Sequence, residues 1–324
     1  MKAVMVRAFG LDEPMAVEEV EAPAPGPGQL LVRVAAAGVN PLEITIRSGK
    51  HPLSKAMQLP YVCGTDVGGE VEAVGEGVEG FAPGDRVWGR TGTGAYAERA
   101  LMPAAGTGRL PDAYSFAQGA SLPIPLITAW NALVIKAEPT PGDTVLVQGG
   151  AGGVGQMAIQ LARQMGCRVL ATVSSKEKGD FCKSLGAESA INYREEDVPA
   201  RVMELTGGRG AEVVVETAAC DNLPADFGLI AVNGKIIVVG TGTGKGPGVT
   251  FALPAAMSRD ARILALSTGN FAPHLAGALR RLAPMLERGD LKIHVGLELP
   301  LEKAGEAHEI VLSGKFIGKV VLVP

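Results

Sequence analysis

The chain has 324 residues with 30 basic and 34 acidic side chains, a net charge of −4. That balance excludes the concentrated basic surface of a nucleic-acid binder, and no apolar run is long enough to span a membrane. At 47% hydrophobic residues it can build a substantial core, and its length suggests about two domains.

Residues 1 to about 120 read as all-β. Met1-Lys2-Ala3-Val4-Met5 enters a strand pattern at once, so no secretory leader is expected. Lys2–Arg7, Ala16–Glu21, Gln29–Ala36, Gly69–Gly75 and Arg86–Gly89 are strand candidates. The segment Ala22-Pro23-Ala24-Pro25-Gly26-Pro27-Gly28 and the turn Pro83-Gly84-Asp85 punctuate them. Short strands broken by glycine and proline suggest a barrel or sandwich. Cys63, Cys167, Cys182 and Cys220 are scattered, with no C-x-x-C pair and no metal-ligand cluster. A reducing cytoplasm fits that usage better than a disulfide framework.

From about residue 121 the period changes. Ser121–Lys136 reads as a helix. Thr144–Gln148 is an apolar, β-branched run suited to a strand buried on both faces. Gly150, Gly152 and Gly155 follow in the spacing G-x-G-x-x-G. Val154, Met157, Ala158, Leu161, Ala162 and Met165 then form one apolar helix face, with Gly166 placed to cap it. A glycine motif between a strand and a helix is the dinucleotide-binding context. The first glycine serves the tight turn, the second lets a pyrophosphate approach, and the third lets helix and strand pack. The phosphates meet the helix N-terminus. The bland alternative is a glycine-rich turn in an ordinary α/β protein.

Strands are then expected at Arg168–Val173, Ser189–Asn192, Glu212–Glu216, Lys235–Val239 and Arg262–Leu266. Helices are expected at Lys176–Leu185, Glu195–Leu205 and Leu223–Ala231 between them. That alternation predicts a parallel, doubly wound α/β sheet. A helix over residues 273–288 and a strand–helix–strand tail complete the chain. The second strand of the unit ends at Val173 and is followed by Ser174-Ser175-Lys176-Glu177-Lys178, not by the acid that holds an NAD ribose. A hydroxyl and an ammonium suit a 2′-phosphate, and Tyr193 closes the next strand on the same sheet edge. NADPH is therefore preferred, although Glu177 could still serve a ribose and the lysines could simply start a solvated helix.

Taken together, the motifs resemble the zinc-free medium-chain dehydrogenase/reductase family, in its quinone oxidoreductase (zeta-crystallin-like) branch. The stretches that carry the resemblance are Ala37-Gly38-Val39-Asn40-Pro41 with Ile46-Arg47-Ser48-Gly49, Gly64 through Gly75 with Pro83-Gly84-Asp85-Arg86-Val87, Gly94-Ala95-Tyr96-Ala97-Glu98, Thr128-Ala129-Trp130, and the glycine turn Gly149–Gly155. The resemblance implies a GroES-like β-barrel catalytic domain, residues 1–120 and 269–324, with a Rossmann dinucleotide domain, 121–268, inserted. It places Gly152, Gly153, Val154 and Gly155 on the pyrophosphate, and Ser174, Lys178 and Tyr193 on the 2′-phosphate. Asn40 and Thr128 would face the nicotinamide, Val239, Gly240 and Thr241 its ribose, and Lys319 would lie near the cofactor. Zinc-dependent relatives carry Cys and His where this chain has Asn40 and Thr65, so no metal is expected, and these two are the candidate catalytic residues.

Without a Lewis acid at that spot, alcohol oxidation is disfavoured. Hydride transfer to a quinone is the leading expectation. An enoyl or alkenal reductase is kept as an alternative, because Thr45 stands where many quinone reductases have a tyrosine able to stack on a ring. A cofactor-binding protein with little turnover is the third reading. A homodimer is implied as well, formed through the apolar edge strand Arg262–Leu266. His51 is a possible proton donor or a merely solvated loop residue.

Overall fold

The computed structural model describes residues 1–242 and 248–324. They form two compact units, Met1–Ile124 with His274–Pro324, and Pro125–Pro273. The first opens with β1 (Lys2–Val6), β2 (Ala16–Glu19), β3 (Gln29–Gly38), α1 (Pro41–Arg47), β4 (Tyr61–Val62), β5 (Asp66–Val74), β6 (Arg86–Arg90), β7 (Arg99–Pro103), β8 (Thr107–Arg109) and α2 (Phe116–Ser121). The second is reached through α3 (Pro123–Trp130). It contains β9 (Thr144–Val147), α4 (Gly153–Gln164), β10 (Arg168–Val173), α5 (Lys176–Ser184), β11 (Ser189–Asn192), α6 (Val198–Leu205), β12 (Ala211–Glu216), α7 (Ala219–Asp226), β13 (Ile230–Val238), α8 (Leu253–Met257) and β14 (Arg262–Ala265). The chain returns to the first unit through α9 (Ala272–Glu287), β15 (Val295–Pro300), α10 (Ala304–Ser313) and β16 (Lys319–Val323).

In the first unit, β1 pairs with β2 and β4, and a seven-stranded sheet runs β15-β16-β3-β5-β6-β8, with β7 on β3. Val4, Leu30, Val32, Val67, Val87 and Val320 meet in its core. β3 joins these parts, because its ten residues pair with β5, β7 and the late-arriving β16. In the second unit, six strands run in the order β11-β10-β9-β12-β13-β14, all pairs parallel. β9 is buried on both faces, as a central parallel strand between two layers of helices must be. The order reverses beside β9, which places the crevice for a ligand at its C-terminal end.

Three local expectations change. The helix expected over Ser121–Lys136 begins earlier, at Phe116, because Ser115 and Gln118 form a capping box, Ser115 Oγ accepting from the Gln118 amide at 3.1 Å and Gln118 Oε1 from the Ser115 amide at 2.9 Å. It restarts at Pro123, then loosens into wider π-type turns over Asn131–Ala137. The helix expected at Leu223–Ala231 lies at Ala219–Asp226, because Ile230 is already paired with Ala211 in the sheet. Residues 41–47, read as loop, form α1, with Pro41 in its first turn, where a missing N–H costs nothing.

Candidate active site

The turn after β9 divides its glycines by task. Gly149, one residue before the motif, takes the left-handed φ of +67° that turns the chain. A Cβ on Gly150 would lie 2.8 Å from the Ala171 methyl and 2.9 Å from Cys182 Sγ, so Gly150 is closed by packing against β10 and α5. A Cβ on Gly155 would lie 2.4 Å from the Gly149 carbonyl oxygen, so α4 rests directly on the turn. At Gly152, the N-cap of α4, the nearest atom is that same oxygen at 3.4 Å. Protein therefore fills the space at the first and third glycines and leaves it open at the second. Gly153, Val154 and Gly155 form the first turn of α4, whose N–H groups lack intrahelical partners. Such a turn can receive a pyrophosphate. The motif spacing predicts the tight turn at Gly150, but it falls at Gly149.

The neighbouring strand ends bring three more candidates to one edge. Ser174 follows β10, and Ser175 caps α5 by accepting from the Lys178 amide at 3.3 Å. The Tyr193 amide donates to Val173 O at 3.0 Å, which draws the residue after β11 against the end of β10, with the Tyr193 side chain exposed. Burial, followed by the charge of Arg194, lowers the Lys178 pKa. Arg194 thus adds a second cation beside Lys178, which sequence reading missed. Glu177 is exposed in the first turn of α5.

Val239, Gly240 and Thr241 follow β13. The Val239 amide donates to Glu216 O at 2.8 Å, and Thr241 bridges to Ala218. A Cβ on Gly240 would lie 2.6 Å from Thr217 O. Thr128 is buried in α3, and its hydroxyl has no hydrogen-bond partner among the described residues.

In the first unit, Asn40, Thr65 and Lys319 meet in one buried ionic knot. Lys319 Nζ donates to Val39 O and to Asn40 Oδ1, each at 2.5 Å. Asn40 Nδ2 donates to Asp66 Oδ2 at 3.1 Å and lies 3.3 Å from Glu43 Oε1. The Asn40 amide also donates to Glu43 Oε1 at 2.7 Å, tying the start of α1. Thr65 Oγ1 donates to Asp66 Oδ1 at 3.3 Å, and Asp66 Oδ2 accepts the Ile124 amide at 3.0 Å. Asn40 is 1% exposed and Thr65 4%, and both turn their polar atoms inward. Burial lowers the Lys319 pKa and raises that of Asp66, against the mutual attraction of the two. Glu43 and Asp66 were missed as members. The spacing of Asn40 and Glu43 around Pro41 is a legible half of a capping box. His51 accepts from the Leu53 amide at 3.2 Å through Nδ1 and so serves as a local cap. Thr45 is exposed and donates to Pro41 O within its own helix.

A parallel sheet of this order, with a glycine turn open at its second glycine, defines a dinucleotide-binding protein. The family model described as zinc-binding dehydrogenase matches residues 153–284, and that of the alcohol dehydrogenase GroES-like domain matches 26–112. A quinone oxidoreductase of Rattus norvegicus is 38% identical over 331 aligned positions, which cover 100% of this chain and 98% of that protein. A solved Escherichia coli quinone oxidoreductase complexed with NADPH superposes with a TM-score of 0.90 at 29% identity, covering 100% of both chains. A solved NAD-dependent alcohol dehydrogenase gives a TM-score of 0.90 at 34% identity, again over 100% of both chains. The chain belongs to the medium-chain dehydrogenase/reductase family, in its quinone oxidoreductase branch. Among the described residues, no three His, Cys, Asp or Glu side chains are grouped to hold a metal ion.

Proposed function

We propose that the chain is an NADPH-dependent oxidoreductase that passes hydride to a quinone-type, electron-poor acceptor without zinc. The observation that carries the reading is the turn closed by protein at Gly150 and Gly155 and open at Gly152, with cations at the next strand ends. The nicotinamide cofactor supplies the hydride when bound. The chain binds and orients. Gly152, Gly153, Val154 and Gly155 take the pyrophosphate at the N-terminus of α4. Ser174, Lys178 and Tyr193, joined by Arg194, take the 2′-phosphate, where a carboxylate would repel it. Val239, Gly240 and Thr241 hold the nicotinamide ribose, and the unpartnered Thr128 hydroxyl serves the nicotinamide side. Asn40 and Thr65 act by position: they fix Asp66 and Lys319 and set the start of α1.

Relatives that act on quinones support this reading, whereas the alcohol dehydrogenase neighbour is named for another reaction. Alcohol oxidation needs an alkoxide stabilised, and a buried amide and hydroxyl at positions 40 and 65 are poor substitutes for a metal. The test is oxidation of NADPH and NADH against a panel of quinones, enals and enoyl compounds. Quinone-dependent turnover that prefers NADPH is expected. Preference for the alkenes would favour the second reading, which Thr45 keeps open because it cannot stack on a ring. Binding without turnover would leave only a cofactor-binding protein.

The same reading includes a homodimer. β14 is the outer strand of the sheet, and its Ile263, with Val232 of β13 and Leu253 and Met257 of α8, is exposed. A two-fold pairing of such edges would cover them, and a monomer by light scattering at micromolar concentration would sink it. No helix among the described residues is long and apolar enough to cross a membrane. Four free, buried thiols suit the cytoplasm.

A further inference from the structure

Beneath the two cofactor-binding turns of the second unit lie two acids that hydride transfer does not use. Glu216 ends β12, Asp226 ends α7, and both are fully buried. Their carboxyl groups are within hydrogen-bonding reach of each other. Glu216 Oε2 and Asp226 Oδ2 are buried and accept no hydrogen bond from an N–H or O–H donor among the described residues. Two neighbouring carboxylates this deeply buried do not both ionise, so one proton is shared between them. Burial raises both pKa values and pushes Asp226 up to about 8. Asp221, in the first turn of α7, adds a further negative neighbour to Glu216. None of the leading influences on either acid is a cation.

The other atoms of the pair lead to the two turns. Asp226 Oδ1 accepts from Gln148 Nε2 at 3.0 Å, Gln148 Oε1 accepts from Thr172 Oγ1 at 2.7 Å, and Thr172 Oγ1 accepts from the Gly149 amide at 3.0 Å. In this arrangement the Thr172 hydroxyl accepts from the Gly149 amide and donates to Gln148 Oε1, which turns the Gln148 nitrogen to Asp226. The path ends on the left-handed glycine that opens the pyrophosphate turn. On the other side, Glu216 Oε1 accepts from the Ala218 amide and from Asn222 Nδ2, while Glu216 O accepts from the amides of Val239 and Gly240.

We infer that Glu216 and Asp226 are a proton-sharing positioning pair that holds the glycine turn and the Val239–Thr241 segment in register for the dinucleotide. The inference rests on the cofactor site proposed above. Loss of the shared proton sets two carboxylates against each other, and any separation drags Gln148 or the start of α7 with it. Cofactor affinity then falls with rising pH.

The experiment titrates NADPH by fluorescence between pH 7 and 9.5, and measures melting of the cofactor-free protein over the same range. In the wild type the NADPH Kd is expected to rise about fivefold, the worth of one net hydrogen bond. Asp226→Asn replaces the shared proton with an amide N–H that donates to Glu216 while its oxygen still accepts from Gln148. Glu216→Gln does the same from the other side. Each variant should give a Kd profile flatter than the wild type's, with Lys178 still contributing its own slope, and a melting temperature less sensitive to pH than the wild type. A flat wild-type profile, or variants whose profiles run parallel to it, would overturn the inference. A protein that binds no NADPH at any pH sinks the cofactor assignment instead, and the melting comparison then decides the pair alone.

Discussion

Asn40→Ala probes the buried knot of the first unit. The change removes the Asn40 Oδ1 acceptor of Lys319 and the Nδ2 donor to Asp66, leaving Lys319 its bond to Val39 O. Both lost bonds involve charged partners, and each such bond is worth about 1.5–3 kcal/mol. Stranding a buried charge costs about 3–5 kcal/mol, and water entering the small gap returns part of that, so a loss near 3 kcal/mol is expected. On sequence alone the same change is expected to spare the melting temperature and lower kcat, because Asn40 reads as facing the reacting groups. An amide that is 1% exposed and bonded at both ends reverses the order: stability goes first. Urea denaturation followed through Trp88, in β6 of the first unit, measures the loss, and kcat is taken per folded molecule. A change in stability under about 0.5 kcal/mol, the range of an ordinary surface substitution, together with a large fall in kcat would refute the structural argument.

Lys178→Ala should weaken NADPH about tenfold or more and NADH little, since only NADPH offers a partner for a charge-assisted bond; equal losses in the two titrations would contradict the assignment. Gly152→Val should leave circular dichroism and melting near wild type while abolishing NADPH binding, whereas Gly155→Val should fail to fold, because its Cβ would sit 2.4 Å from Gly149 O; a Gly152→Val protein that still binds NADPH tightly would rule out the pyrophosphate placement. Burial, then the charge of Asp66, pushes the Glu43 carboxyl up to about 7. An acid raised by folding contributes stability that is complete below its ordinary value, 4.5, and lost as pH rises through about 7. Melting temperature should therefore fall between about pH 5 and pH 8, and Glu43→Gln should reduce the slope; an unchanged slope in the variant would place the titration elsewhere.

The parallel sheet was legible because its central strands β9 and β10 are short apolar runs, as burial on both sides demands, and β10 and β11 fall at the predicted residues. The helix at Ala219–Asp226 was not, because Ala218 offers no side-chain cap and Pro224 lies inside it, so ordinary start and stop signals mislead. The candidate site divides in the same way. Glycine spacing and an absent acid are local patterns, so the cofactor end could be read in order along the chain. Residue types alone could not show that Lys319 and Asn40, 279 positions apart, share a hydrogen bond. Nor could they show that Glu216, a strand-end carboxylate by pattern, faces Asp226 instead of solvent.

The position of β16 has a consequence for synthesis. This strand lies between β15 and β3, and its Val321 and Leu322 pair with Gly38 and Ala37. On the ribosome, β3 emerges before the whole of the second unit, and its partner β16 only after it. The parallel sheet of the second unit is complete in sequence at β14, well before β16 exists. Chains fold as they emerge, at about 5–20 residues per second, so the inserted unit can close while the first still lacks a strand. For that interval the C-terminal end of β3, at Ala37 and Gly38, lacks its β16 partner, and the buried ammonium of Lys319 is absent from its pocket of acids. An unpaired, apolar strand edge is a template for aggregation. The nascent first unit thus keeps that short edge open until the whole second unit has been made.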